Sequence, residues 1–280
     1  MIIDALKSRR YFSELAALDE EAFPLDRAAL MMALDEYPEL DLQEYLRRLD
    51  TLAARTEVLT GEDRTPVNVI ESMNEVLFVQ EGLRGNDEDY YDPRNSYLND
   101  VLDRKLGIPI SLSVIYIEIG RRIDFKIEGI GFPGHFLVKH VSNGRDTIID
   151  PFNLGRILTM NECQELLDKV FNGSVVVNPS LFQPMEKRPI MTRMLYNLKG
   201  IYTQKEQYHK AISVIDKILM LNPMTPSELR DRGLLYMQTS FFAKALADLE
   251  SYLAHAVSPE DAPNVENHIK MLRRIVCAPN

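Results

Sequence analysis

Five histidines and two cysteines are the residues of this 280-residue chain that could hold a metal, or make and activate a nucleophile. Cys163 and Cys277 cannot build a disulfide framework or a four-thiolate zinc site. Only His135 and His140 lie close in sequence, on what reads as a strand. An odd offset there points two side chains to opposite faces, so they do not form a ligand pair. The acidic run Asn86–Asp92 lacks the alternating oxygen ligands, central glycine and terminal glutamate of a calcium loop, and reads as a solvated loop. Tyr90 and Tyr91 within it either line a groove or pack on the core. No metal and no cofactor are expected.

Hydrophobic residues make up 45% of the chain and charged residues 26%, the balance of an apolar core under a solvated surface, which excludes a largely disordered chain. No window approaches the roughly 18 uninterrupted apolar residues of a membrane span. The N-terminal segment lacks the basic, apolar, small-residue order of a signal peptide. A soluble, cytoplasmic protein is expected. With 42 acidic against 32 basic residues the formal net charge is −10. Nucleic acid and anionic membranes are poor partners for such a chain, because neutralising phosphate supplies most of that affinity.

These residues are carried by helices, then strands, then helices again. Apolar residues recur at three- and four-residue steps over Leu25–Leu34, Leu42–Leu52 and Val67–Val79. A further helix begins near Pro109, where a missing N–H costs nothing. It is apolar on most sides, which predicts a buried central helix. Glu118 and Arg122 sit four apart on its one polar stripe, a pair worth only a few tenths of a kcal/mol if exposed. Residues 127–131, 135–141 and 147–150 read as three strands, with Asn143-Gly144 a hairpin signal between the last two. Thr159 and Glu162 have capping-box spacing for a helix running through Leu166 to Val170.

From about residue 185 an internal repeat appears. At an offset of 34, Ile201 matches Leu235, Tyr202 Tyr236, Tyr208 Phe242, Ala211 Ala245, Ile212 Leu246, Ile215 Leu249 and Leu219 Leu253. This period, with a small residue at the helix crossing, resembles a tetratricopeptide repeat (TPR). Pro223 closes the first copy. Val257 holds the matching place in the second, with Pro259 two residues late. Two repeats bury little core, so they are expected to pack on the N-terminal domain or on a helix over residues 264–275. Stacked helix pairs present a concave surface to a partner segment, and Tyr202 and Tyr236 are the candidate contact residues.

A helix opening at Gly107-Ile108-Pro109, a strand opening with Gly134-His135-Phe136 and a strand ending in Asp150-Pro151-Phe152 resemble the core of the transglutaminase-like superfamily, relatives of papain-type peptidases. That resemblance implies an α+β domain of helices and a small antiparallel sheet over residues 1–184, followed by an all-α repeat domain over 185–280. It also implies a cysteine at the helix start whose thiol is acidified by the helix dipole and an imidazolium, with a carboxylate orienting the histidine. His135 and Asp150 fall on the histidine and aspartate, and they are expected to touch. The cysteine position falls on Pro109, which has no nucleophile. At about 100° per residue, Ser111 points roughly 200° away from the Pro109 direction and Ser113 about 40° away but one turn on. Ser113 is the better stand-in, with Ser111 and Cys163 behind it, and all three read more readily as packed small residues.

The runs Asn86-Asp87-Glu88-Asp89-Tyr90-Tyr91-Asp92-Pro93-Arg94-Asn95-Ser96-Tyr97-Leu98-Asn99 and Gly131-Phe132-Pro133-Gly134-His135 carry the likeness further. With Ile149-Asp150-Pro151-Phe152 they resemble the bacterial SirB-type family, which joins this domain to C-terminal TPR repeats. The resemblance implies a cytoplasmic regulatory protein named for a link to invasion-gene regulation, and no assigned reaction. The expectation is a non-catalytic scaffold that binds a protein partner or peptide through its repeats and its cleft. The competing expectation is an acyl-transfer or hydrolase enzyme using Ser113, or else Ser111 or Cys163, with His135 and Asp150.

Overall fold

The computed structural model describes residues 5–142, 144–257 and 260–277. They form two compact units, Met1–Met194 and Leu195–Asn280. The first opens with helices α1 (Ala5–Ala16), α2 (Leu25–Met31), α3 (Leu42–Thr60) and α4 (Pro66–Asn74). A 3-10 turn extends α2 to Asp35, and a π-turn extends α4 to Gln80. The Asp41 carboxylate caps α3 by accepting from the Gln43 amide, and Gly61, at a φ of 63°, ends it. The three helical periodicities therefore fold as helices.

Next come β1 (Arg84–Gly85), α5 (Leu98–Arg104) and β2 (Leu106–Gly107), with β1 and β2 paired in parallel. Helix α6 (Pro109–Arg122) follows, then β3 (Glu128–Ile130), β4 (Leu137–Ser142), β5 (Arg145–Asp150), β6 (Arg156–Leu158), α7 (Met160–Phe171) and β7 (Pro184–Met185). Strands β3 to β7 form one antiparallel sheet in the order β6-β5-β4-β3-β7. Its outer strands, three and two residues long, are too short to show alternation in the sequence. Only pairing with β5 and β3 defines them. Ser142 pairs with Arg145 across the predicted hairpin, whose Asn143 lies outside the described residues.

Both faces of the sheet are covered. Leu137, Ile148, Leu158 and Phe182 pack with Cys163 and Leu167 of α7. Val138 and Ile149 face the other way by the pleat and are buried too. Helix α6 lies against β3, β4 and the turn after β5, and its residues from Pro109 to Tyr116 are all buried.

Glu118 and Arg122 pair as their spacing predicts, but the stripe is buried. Glu118 is 2% exposed and accepts from Arg121 Nε at 2.8 Å and Arg122 Nη1 at 2.7 Å. Arg122 also donates to Asp26 at 2.6 Å and to Asp50 at 2.8 Å. Helix α2 and α3 fold over that stripe and turn a surface pair into a buried charge network.

The second unit carries the rest of α8 (Lys187–Gln204), then α9 (Tyr208–Leu221), α10 (Pro226–Gln238), α11 (Phe242–His255) and α12 (Ala262–Val276). The start and end of α9 and α11 are offset by 34 residues, the period of the sequence repeat. Burial repeats as well: Ala211 and Ala245, and Ile215 and Leu249, are all fully buried. Pro259, at the second exit, lies outside the described residues. No described helix is long and apolar enough to cross a membrane.

Candidate functional site

The site is assembled at the N-terminus of α6. Pro109 occupies the first helical position behind the N-cap Ile108. Ser111, at the third, accepts from the Ile108 amide at 3.0 Å and donates to the Asn95 carbonyl at 2.6 Å. It thus satisfies an N–H that the helix leaves open.

The loop before α5 is solvated over residues 87–91, as its sequence predicts, and is anchored at both ends by buried polar residues. Asn86 and Asn95 are buried and joined by an Nδ2 to Oδ1 bond of 3.1 Å. Asn95 Nδ2 also donates to the Asp89 carbonyl at 2.7 Å. Asp92, 5% exposed, pairs with Arg94 at 2.7 Å and Arg104 at 3.1 Å. Burial pushes its carboxyl upward, but these hydrogen bonds and charges outweigh that and hold it below the usual range. These anchors leave Asp87, Glu88, Asp89, Tyr90 and Tyr91 outside.

His135 lies in the turn that precedes β4, not on the strand. Its amide donates to the Phe132 carbonyl at 3.0 Å, and Gly134 adopts a φ of 68° to close the turn. His140, on β4, is occupied elsewhere: its Nδ1 bonds the Lys126 carbonyl at 2.9 Å and its ring stacks on Phe125. The Val138–Ile149 register sets the start of β4 beside the end of β5. His135 Nε2 and Asp150 Oδ1 meet there at 2.9 Å. Asp150 caps the following 3-10 turn by accepting from the Phe152 and Asn153 amides, and Asn153 Nδ2 donates to its other oxygen at 2.7 Å. Burial raises this carboxyl, yet His135 and Asn153 together draw it below its ordinary range. An ionised Asp150 only accepts, so Nε2 carries a proton and donates it to Oδ1.

Phe152 packs against the His135 ring, and Arg193 holds the backbone of the turn that carries it. Phe152 meets it edge-on at 5.8 Å and fills the space above Gly85, where a Cβ would clash. Arg193 Nη2 donates to the His135 carbonyl at 2.6 Å and to the Phe132 carbonyl at 3.2 Å. Burial lowers the pKa of that guanidinium, which has no carboxylate partner among the described residues.

Each expected nucleophile is committed elsewhere. Ser111 bonds Ile108 and Asn95, and the Ser113 hydroxyl donates to the Phe136 carbonyl at 3.5 Å. Cys163 is buried in the α7 layer, where burial first, then the charges of Glu162 and Asp150, push its thiol up to about 11. Among the described residues no hydroxyl or thiol hydrogen-bonds the His135 ring, and no group of three or more His, Cys, Asp or Glu is placed to hold a metal.

Sequence reasoning missed Asn95, Asn153, Phe152 and Arg193. Asp150-Pro151-Phe152-Asn153 carried a usable signal, an Asx cap before proline with an amide three residues on. Arg193 had none, since its bonds to Phe132 and His135 cross far-separated segments.

In the second unit Tyr202 is 1% and Tyr236 8% exposed. Both are buried, so neither presents its ring at the surface of the repeat unit. Tyr196 of α8 is the tyrosine left open there, 41% exposed.

A family model described as transglutaminase-like superfamily matches residues 43–196, and one described as tetratricopeptide repeat matches residues 198–270. A UPF0162 protein of Xylella fastidiosa (strain Temecula1) is 40% identical over 266 residues, covering 92% of this chain and 93% of the relative. Another from Vibrio cholerae is 28% identical over 255 residues, covering 91% and 94%. Human F-box only protein 21 is 33% identical over 141 residues, 48% of this chain and 22% of that protein. An α+β unit with a five-stranded antiparallel sheet, followed by a helical repeat, matches both family models, and the chain belongs to the UPF0162 family of the transglutaminase-like superfamily.

Proposed function

We propose that this protein is a non-catalytic binding protein, a transglutaminase-like unit without a nucleophile joined to TPR helices that engage a protein partner. The observation carrying this reading is the occupancy of the helix start. Pro109 sits where a nucleophile would open α6, and the nearby Ser111 and Ser113 hydroxyls are spent on backbone carbonyls. A base without an attacking group on the protein cannot form an acyl-enzyme. The His135–Asp150 pair then braces the turn before β4 against the end of β5. The repeats support partner binding by their architecture, and the SirB-type resemblance supports a regulatory setting in the cytoplasm.

The competing reading, acyl transfer by Ser113 with His135 and Asp150, is favoured by the retained 2.9 Å pair alone. Fluorophosphonate and iodoacetamide treatment of the folded Cys277→Ser protein, followed by intact-mass analysis, separates the two. No adduct is the expected result. A fluorophosphonate adduct on Ser113 that disappears in His135→Ala would overturn the proposal.

A further inference from the structure

A cavity of about 470 Å³ opens beside the charge network of α2, α3 and α6. Glu118 lines it and is 2% exposed. Arg121 and Arg122 both donate to its Oε2, at 2.8 and 2.7 Å. Its Oε1 has no hydrogen-bond partner among the described residues and is not sealed from the cavity. A nine-tenths-buried carboxylate thus keeps one oxygen unspent, an unfavourable state until a donor reaches it.

The charges lining the cavity fall into two sets. Asp26, Asp50 and Glu118 share the two guanidinium groups of Arg121 and Arg122, so this set is one positive charge short. Arg27 and Lys187 line the cavity too, and neither has a carboxylate partner among the described residues. With Glu21, also in the lining, they leave one positive charge in surplus. Burial first, then the charge of Asp26, drives Glu118 toward holding a proton, against the pull of Arg121 and Arg122. A bound ammonium would fill the place on Oε1 that this proton takes.

We infer that the cavity binds a small zwitterion, an α-amino acid, with its ammonium on Glu118 Oε1 and its carboxylate on Arg27 and Lys187. A ligand with both charges meets both unmatched sets through charge-assisted hydrogen bonds. A simple cation would instead meet Arg27, Arg121 and Lys187. A simple anion would leave Glu118 Oε1 without a donor. The volume falls in the range of roughly 300–1,000 Å³ that small-molecule sites occupy.

The test is isothermal titration calorimetry of the full chain against each of the twenty protein amino acids at low salt. Saturable one-to-one binding of at least one is expected, with a Kd of about 1 mM or tighter. Its methyl ester and its α-hydroxy acid analogue each lack one charge, and both are expected to bind at least tenfold more weakly. Arg27→Ala alters an exposed side chain outside the ion-pair network and is expected to weaken binding fivefold or more. Glu118→Gln is expected to weaken the amino acid tenfold and leave the hydroxy acid unchanged. If that variant melts early, Arg27→Ala and the two analogues still decide the matter. Absence of binding by every amino acid, equal binding of either analogue, or indifference to Arg27→Ala overturns the inference.

Discussion

The Ser111 hydroxyl donates to the Asn95 carbonyl at 2.6 Å while accepting the Ile108 amide at 3.0 Å, tying the acidic loop to the start of the buried helix. Ser113, one half-turn on, makes a single long bond of 3.5 Å to Phe136.

These two serines should therefore separate in a stability assay. Removing Ser111 leaves a buried amide and a buried carbonyl short of partners, a cost of about 1–3 kcal/mol. Ser113→Ala removes one weak bond and should cost less than about 1 kcal/mol. Urea denaturation of both variants measures the order. A larger loss for Ser113→Ala would contradict the assignment of Ser111 as the structural hydroxyl.

Asp150 makes stability depend on acid. Its folded pKa lies below the unfolded value of about 3.9. The unfolded chain therefore binds the proton first, and the contribution is complete above that value and lost as pH falls through the folded one. Stability of the natural protein should drop more steeply below about pH 4 than that of Asp150→Asn. Parallel curves from denaturant titrations across this range would contradict it.

Glu118 should be far more costly to remove than an exposed helix pair. Glu118→Ala leaves Arg122, 10% exposed at its side chain, short of a partner beside Asp26. Arg122 keeps Asp26 and Asp50, so the loss is that of charge-assisted hydrogen bonds, about 1.5–3 kcal/mol. Thermal melts of Glu118→Ala and of Glu14→Ala, whose carboxylate pairs with Arg10 at the surface, give the comparison. The surface change should stay within about 0.5 kcal/mol.

In the repeat unit the buried tyrosines are expected to behave as core. Tyr202→Ala and Tyr236→Ala should each destabilise by about 3–5 kcal/mol. Tyr196→Ala, at a 41% exposed site, should cost less than about 1 kcal/mol. This makes Tyr196 the residue for partner-binding assays, where a loss cannot be ascribed to unfolding.

The amino-acid sequence alone determined the helices, the central hairpin, the Pro109 start of α6 and the 34-residue repeat. Each rests on local signals, either a period of apolar residues, a proline at a first turn or a capping pair, that need no distant neighbour. It also determined that no thiol opens α6, since that is a matter of residue identity at one position. The tertiary structure alone decided how exposed each of these parts is. Glu118 and Arg122 share one helix face in any helix, but only α2 and α3 folding over them remove the water. Tyr202 and Tyr236 repeat in sequence whether they face a groove or a core, and helix pairing put them in the core. Tyr90 and Tyr91 stand outside because Asn86 and Asn95, nine residues apart, bond each other beneath them. Contacts between distant segments set these outcomes, and neither spacing nor periodicity encodes the direction from which a distant segment arrives.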